Sequence, residues 1–454
     1  MEKQSLEPTF AKLRPLGHAE RYSAARSDLG IYLNVALTAR YKTSGKVAVK
    51  PALFHALTAL IAKHPILSTI PWATETTKPY FVRLPTLDLD HVVSFFEDDA
   101  NEEWRDFVDK VLEKEHNTPF ESRAGTSLLP FWRLSVINHR NILDTFTLIF
   151  VFHHSLMDTQ SAHSFHQELE EYMHRYSGQD LPVNTVICPS TTLLPPLEGM
   201  CNLSISDSFH LSQSTYHEPS PESWTGAPQS TPVKTRFGSI WLTEKDTRVL
   251  RNSSIRNKCS VTATLQALLA HSIFAALPSQ YTILQGDCAV SLRRFLPQPI
   301  EATSLGCYVG SLSVVYHRKP TFDWDDAFHT KKAIRETLAM EGRDMPVGYL
   351  GTISDMHSWM REKLTKKRAA AFELSNIGTG LNAKPGGDGS HFRIESMLFS
   401  QSSSACSAAI KISAITGPDG NIALGFSWQE EIVDDVMIQK VQKVLQYAIE
   451  SLKD

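Results

Sequence analysis

The order of apolar runs predicts an α/β protein built in two halves, and three observations carry that prediction. Strand-like and amphipathic helical runs are mixed on both sides of one interruption. The interruption, near Ser177 to Arg236, is rich in serine and threonine and holds prolines at 182, 189, 195, 196, 219, 221, 228 and 232. Finally, 454 residues suffice for two or three core-bearing units of roughly 100–200 residues each. The expected division is an N-terminal part at 1–180, a crossover linker at 181–235 and a C-terminal part at 236–454. The linker bears too few apolar side chains for a core of its own, and its prolines lack the donors that regular ladders need.

In the first part, Leu29-Gly-Ile-Tyr-Leu-Asn-Val-Ala-Leu-Thr38 reads as a strand. Lys50 to Lys63 reads as a helix with Leu53, Ala56, Leu57 and Leu60 on one face, stopped at His64-Pro65. A second helix is expected from Glu102 to Glu115. Phe131–Ile137 and Asp144–Phe152 are apolar strands joined by the turn-like Asn138-His-Arg-Asn141. A helix from Thr159 to Arg175 follows. In the second part, helices at 244–257, 262–277 and 323–341 alternate with strands at 287–292, 307–316, 372–377, 392–399 and 406–416. A last strand at 422–428 precedes a final helix at 434–452. Lys384-Pro-Gly-Gly-Asp-Gly389 reads as a flexible turn rather than a phosphate loop.

Composition narrows the function. Hydrophobic residues make up 42% and charged residues 21%, and 45 basic against 49 acidic side chains leave a net charge of −4 with no basic stripe. Nucleic acid is not an expected partner. The six scattered cysteines form no Cys-x-x-Cys pair, which argues for reduced thiols and against a cysteine zinc site. No run approaches the ~18 apolar residues of a membrane span, and the first ten residues carry no apolar signal core. A cytoplasmic protein is expected.

The chemistry concentrates in Phe150-Val-Phe-His153-His154-Ser-Leu-Met-Asp158-Thr-Gln-Ser161, where a strand gives way to a helix. Three readings compete. Asp158 is placed to cap the helix, with the histidines as partly buried packing groups. Alternatively His154, Asp158, His163 and His166 could group around a metal, although no glutamate occupies the base position of a His-Glu-x-x-His motif. The third is a general base, an imidazole of ordinary pKa ~6.5 removing a proton from a nucleophile.

Other segments bear on that choice: Leu13-Arg-Pro-Leu-Gly-His-Ala-Glu-Arg-Tyr22, His64-Pro-Ile-Leu67, Val290-Ser-Leu-Arg-Arg-Phe-Leu-Pro297, Gly306-Cys-Tyr-Val-Gly-Ser311, Glu373-Leu-Ser-Asn-Ile-Gly378 and Gly425-Phe-Ser-Trp-Gln429. With His153-His154-x-x-x-Asp158 between them, their order and spacing resemble the fungal alcohol acetyltransferase family. That family lies within the His-x-x-x-Asp acyltransferases, alongside chloramphenicol acetyltransferase, the plant BAHD acyltransferases and peptide-synthetase condensation domains. The resemblance spans nearly the whole chain. One departure stands out: the family's aspartate is usually followed by glycine, and here by Thr159.

The resemblance implies two lobes of chloramphenicol-acetyltransferase type, each a mixed sheet with flanking helices, and an active-site tunnel at their interface. It implies that His154 is the base in direct acyl transfer without an acyl-enzyme, and that Asp158 pairs with Arg293 of the other lobe in a bidentate contact. Arg293 could equally be a surface loop arginine. His153 is expected to orient or pack, and His163 and His166 to lie at solvent or at the tunnel edge. Ser375, Asn376, Ser400 and Ser402 are candidate oxyanion donors, or else strand-edge groups bonded to backbone.

Acetyl-CoA, or another acyl-CoA, is the implied co-substrate, with Lys363, Lys366, Lys367 and Arg368 either meeting its phosphates or forming a solvated face. No metal is expected. The acceptor is a small alcohol or amine, the former making this an O-acyltransferase of secondary metabolism, and the protein is expected to be a monomer. Two alternatives stay open: a CoA-independent condensation, product-release or cyclisation enzyme, for which a carrier-protein-bound substrate is an option, and a binding protein with an idle site.

Overall fold

The computed structural model describes residues 10–44, 48–98, 101–121, 123–124, 127–142, 144–178, 183–297, 300, 303–379 and 391–452. Two large sheets organise them. Their strands are β1 (Val35–Thr43), β2 (Val93–Glu97), β3 (Trp132–Asn138), β4 (Thr145–Phe152), β5 (Thr235–Trp241), β6 (Ile283–Ser291), β7 (Val309–His317), β8 (Phe372–Asn376), β9 (Phe392–Gln401), β10 (Ile410–Thr416) and β11 (Ile422–Gln429). The main helices are α1 (His18–Asp28), α2 (Val49–Lys63), α3 (Trp104–His116), α4 (Thr159–His174), α5 (Glu244–Arg256), α6 (Val261–Ala276), α7 (Trp324–Ala339), α8 (Met356–Leu364) and α9 (Asp435–Glu450).

The first sheet has the order β9-β1-β4-β3-β2 and is antiparallel except for the parallel β2–β3 pair. At its centre every residue of β4 after Thr145 is buried, as an unbroken aromatic and aliphatic run requires when both faces are covered. Phe165 of α4 stacks on Phe150 at 3.9 Å between centroids. The second sheet has the order β5-β11-β10-β8-β6-β7 and is mixed, with β8 parallel to both neighbours. Leu265, Leu268, Leu269 and Ile273 of α6 and Ile438, Val441, Leu445 and Ile449 of α9 share its core. Each such side chain contributes about 1.5–3 kcal/mol when fully buried.

Two crossings tie the lobes together. The strand expected at 392–399 forms as β9, but it pairs with β1 of the first sheet, Phe399 opposite Leu37 and Gln401 opposite Val35. The C-terminal part thus contributes an edge strand to the other lobe. At this crossing a Cβ on Gly425 would lie 2.6 Å from the Phe399 carbonyl oxygen, so only glycine allows β9 to pass so close to β11.

The second crossing runs the other way. Asp109 and Glu113 of α3, and Asn117 just beyond it, accept from the backbone N–H groups of Ser239, Phe237 and Thr235 at 2.7, 2.9 and 2.7 Å. Four helical residues rise about 6 Å and two strand residues about 6.6 Å. The i, i+4, i+8 carbonyl-bearing side chains therefore match every second donor on the outer edge of β5, an edge that would otherwise stand unpaired.

The strand expected from Leu29 starts only at Val35. Gly30, with φ +62°, ends α1 in a left-handed turn. Gly30 N–H donates to the Ser27 carbonyl and Ile31 N–H to that of Arg26, the paired bonds of a glycine-terminated helix. The Pro-rich stretch is not featureless either: Thr185–Ile187 pairs with Thr86–Asp88, Asp207–Ser214 is a short helix, and β5 begins at its end. Lys384–Gly389 lies outside the described residues. Among the described residues no single helix is long and apolar enough to cross a membrane.

Candidate active site

His154 follows the last residue of β4 and so sits at the end of the first sheet, where the second lobe meets it. Its Nδ1 lies 3.1 Å from the Met157 carbonyl oxygen. A carbonyl only accepts, so the proton is on Nδ1 and the lone pair on Nε2. Nε2 accepts no hydrogen bond from a described residue. Burial first, and the Arg26 cation second, lower the imidazole pKa to about 4, so the ring is neutral at pH 7. The Tyr32 ring lies 6.1 Å away, and Cys307 Sγ of the second lobe is 3.9 Å from Nδ1. Burial holds that thiol well above its usual range.

Asp158 turns away from this space. Its backbone is extended, and it caps α4 by accepting from Ser161 N–H at 2.9 Å. The same oxygen, Oδ1, takes Arg293 Nη2 at 2.7 Å, and Oδ2 takes the Tyr308 N–H at 2.9 Å. Cap and inter-lobe anchor are thus one carboxylate. Burial pushes this carboxyl up, but Arg293 and the two backbone donors outweigh it and hold it below its ordinary value. Arg293 is no surface residue: its side chain is 7% exposed, it stacks on Tyr308, and Nη1 donates to the Ser304 carbonyl at 2.8 Å. The expected bidentate geometry is corrected: arginine meets one carboxylate oxygen, because the Tyr308 backbone occupies the other. Asp158 N–H in turn donates to Gly306 O at 3.0 Å.

Thr159, where the family has glycine, is the first residue of α4 and its φ is not positive. The backbone freedom of glycine is not needed there. His153 is 2% exposed, edged by Phe120 and Phe131, and its Nδ1 accepts from Ser155 N–H at 3.1 Å, a packing position. His163 and His166, expected at solvent or at the tunnel edge, are buried, which removes the solvent alternative. His166 lies on the same face of α4 as Ala162, Phe165 and Leu169, all of them buried. His166 is held by Tyr41 Oη and the Leu37 carbonyl, both at 2.9 Å. The four donors of the metal reading therefore do not converge.

The oxyanion candidates separate. Ser400 Oγ lies 2.9 Å from His116 Nε2, and His116 Nδ1 lies 2.6 Å from Asn34 Oδ1. The Asn34 amide nitrogen is fixed on the Glu115 carbonyl, so Oδ1 accepts, His116 donates through Nδ1, and Ser400 must donate to Nε2. Ser402 Oγ accepts from the N–H groups of Leu33 and Asn34. Asn376 bonds Thr262 at the start of α6 and the Gly378 N–H. Ser375 differs by strand parity: it shares a face of β8 with Glu373. Burial pushes the Glu373 carboxyl up, but Lys411 at 2.7 Å, Arg26 and His154 together bring it below its ordinary value. Ser375 is therefore on the side facing the base.

The basic run is occupied. Lys363 lies over the Trp359 ring, Lys366 pairs with Glu362, Lys367 with Glu218, and Arg368 is buried against the carbonyls of Ala227 and Thr225. A separate cavity of about 390 Å³ opens between the lobes, lined by Arg40, Trp104, Arg105, Trp241 and Glu395 among others. Arg40 pairs with Thr147, seven residues before His154, or roughly 20 Å along an extended strand.

Sequence reading missed Arg26, Tyr32, Cys307 and Ser161. Tyr32 lies in the strand-like run from Leu29 and Cys307 in Gly306–Ser311, but nothing in their spacing marks them as neighbours of the base.

Two α/β lobes thus bring a neutral histidine to their junction and tie the aspartate four residues on to an arginine of the opposite lobe. The chain matches the alcohol acetyltransferase family over residues 15–448. It is 32% identical over 460 residues to an Aspergillus fumigatus protein described as a probable alcohol acetyltransferase, crmB, covering 94% of this chain and 97% of that one. The chain belongs to the alcohol acetyltransferase family and is an acyltransferase enzyme. Two solved structures share its fold: the TRI3 trichothecene 15-O-acetyltransferase of Fusarium sporotrichioides (TM-score 0.71, 11% identity, 97% and 95% of the chains) and the first condensation domain of the calcium-dependent antibiotic synthetase (TM-score 0.67, 13% identity, 98% of each).

Proposed function

We propose that this protein transfers an acyl group, acetyl in the first instance, from acyl-CoA to the hydroxyl of a small molecule, with His154 as the general base. The observation that carries the reading is the tautomer: Nδ1 is tied to the Met157 carbonyl, so a neutral imidazole presents the Nε2 lone pair where the lobes meet. Nε2 removes the hydroxyl proton as the oxygen attacks the thioester carbonyl. The tetrahedral oxyanion collapses, the C–S bond breaks, and the proton on Nε2 passes to the leaving thiolate, giving ester and free CoA. Ser375, on the base-facing side of β8, is the donor best placed for the oxyanion. Asp158 and Arg293 are positioning residues.

The test measures thiol release from acetyl-CoA against a panel of alcohols and amines for wild type and His154→Ala, with mass spectrometry of the products. Wild type should yield an acylated alcohol, and the variant should lose about 10²–10⁴-fold in rate, the usual worth of a positioned base. Equal rates in the two proteins, or no acylated product from wild type, would overturn the proposal.

A further inference from the structure

Arg26, in the last turn of α1, is 7% exposed, yet among the described residues no carboxylate stands in salt-bridge contact with it. Its guanidinium lies between two rings, 4.1 Å from the centroid of Tyr22 and 4.3 Å from that of Tyr32. Rings on its faces leave the edge, with its row of N–H donors, as the route by which a ligand can bind. Along that edge the hydrogen bonding is sparse. Nη2 makes one long contact, 3.4 Å, to Ser23 Oγ, and the buried Nε–H has no partner. Among the described residues Arg26 forms no ion pair.

The neighbouring carboxylates are engaged elsewhere. Glu373 is taken by Lys411 at 2.7 Å, Asp28 by His357 at 3.0 Å, and Asp287 accepts from Ser313 at 2.7 Å. Lys411 is itself 2% exposed and lies 5.2 Å from the Tyr32 ring centroid. Around Tyr32 two buried cations therefore share one paired carboxylate. A buried cation without a counter-charge is strongly unfavourable, and a planar anion that meets the guanidinium fork edge-on relieves it.

The location says which substrate carries that anion. Tyr32 is 6.1 Å from the His154 ring and 4.3 Å from the Arg26 guanidinium carbon, so base and cation are at most roughly 10 Å apart. In an acyl-CoA the phosphates are separated from the thioester by the whole pantetheine arm, whereas an acceptor brings its substituents to within a few bonds of the nucleophile. We propose that Arg26 is the recognition site for a carboxylate on the acceptor, so that the acceptor class is a small hydroxy acid whose hydroxyl stands a few bonds from the carboxylate. The inference rests on His154 as the base and adds the substrate class to it.

The test pairs each acid with its neutral amide: mandelate with mandelamide, lactate with lactamide and 3-hydroxybutyrate with its amide. Each is titrated calorimetrically into the full-length wild type, Arg26→Gln and Arg26→Lys, whose folding is checked by circular dichroism. At least one acid should bind wild type tenfold or more tightly than its amide. Arg26→Gln should bring the two within about threefold by weakening the acid alone, and Arg26→Lys, which keeps charge but not the fork, should fall between. No acid preference in wild type, or a preference that survives in Arg26→Gln, overturns the proposal. So does an equal loss for acid and amide, which would make Arg26 a general stabiliser of the pocket. Should Arg26→Gln not fold, the wild-type acid-to-amide ratio decides. Acyl transfer to the same pairs is read separately: an acid that binds through Arg26 but releases no thiol from acetyl-CoA counts against the proposed transfer, not against the anion site.

Discussion

Replacing Asp158 by asparagine keeps the shape of the side chain and removes its charge, and the structure sets the expected cost. Side-chain exposure is 9% for Asp158 and 7% for Arg293, so solvent screens the pair little. The carboxylate receives Ser161 N–H and Arg293 Nη2 at one oxygen and Tyr308 N–H at the other. An amide has a single acceptor oxygen. If that oxygen keeps Ser161 and Arg293, its NH₂ group faces the Tyr308 donor and two donors collide. Removing one member of a buried pair costs about 3–5 kcal/mol, and the orphaned Tyr308 N–H pushes Asp158→Asn to the upper end. Arg293→Met leaves a carboxylate that still has two backbone donors and belongs at the lower end. The double variant should therefore be less damaged than the two singles added together, with a coupling of about 2 kcal/mol or more. Urea unfolding midpoints of the four proteins measure that cycle. Acetyl transfer should fall about 10²-fold in Asp158→Asn, because a base displaced by about 1 Å loses that much. Single variants that add within about 0.5 kcal/mol, or a cost below about 1 kcal/mol for Asp158→Asn, would refute the view that this ion pair holds the lobes in register.

Further outcomes follow from the same geometry. His154 acts as a base only when unprotonated, and its pKa is lowered to about 4. Activity should thus be flat from about pH 8 to 5.5 and fall only as pH approaches 4; an inflection near the ordinary ~6.5 would argue that another group is the base. Ser375→Ala should lower kcat by about 10–10³-fold if it is the oxyanion donor, whereas Asn376→Ala, whose amide is spent on Thr262 and Gly378, should change stability more than kcat. Asp109→Ala removes the acceptor of the Ser239 N–H on the outer edge of β5. It should cost about 1–3 kcal/mol and speed hydrogen exchange at Ser239 while leaving Thr235, held by Asn117, protected.

Local periodicity carried most elements of the fold, because a helix or strand is decided largely by its own residues. Val49–Lys63, Trp104–His116 and Thr159–His174 all lie within two residues of their expected bounds, since each has an apolar stripe and an end signal in its own sequence. What periodicity cannot carry is allegiance. Phe392–Gln401 reads as a strand in isolation, but nothing in it says that its partner is Val35–Thr43, some 350 residues earlier; the glycine that permits the crossing, Gly425, is on a third strand. The Asp109, Glu113 and Asn117 series is visible in the sequence only as polar residues on an amphipathic helix, a pattern that ordinarily means solvent.

The same distinction explains which site residues could be read. His154 and Asp158 stand four apart, with the base on the strand end and the cap on the helix start, so a local motif expresses both roles. Arg293 could be named only through resemblance, since its partner lies 135 residues away. The serines show the limit most clearly. Ser375, Ser400 and Ser402 carry the same hydroxyl at similar strand-end positions, yet Ser400 donates to His116 and Ser402 receives the backbone of Leu33 and Asn34, leaving Ser375 on the base-facing side. Their difference is created by α3 and by the turn after α1, elements remote in sequence from all three. Arg26 belongs to the same category: in the sequence it is a charged residue near a helix end, a place where a cation favours the helix dipole. Only the fold, by setting Tyr22 and Tyr32 against it and directing Glu373 to Lys411, turns that cation into one in need of an anion.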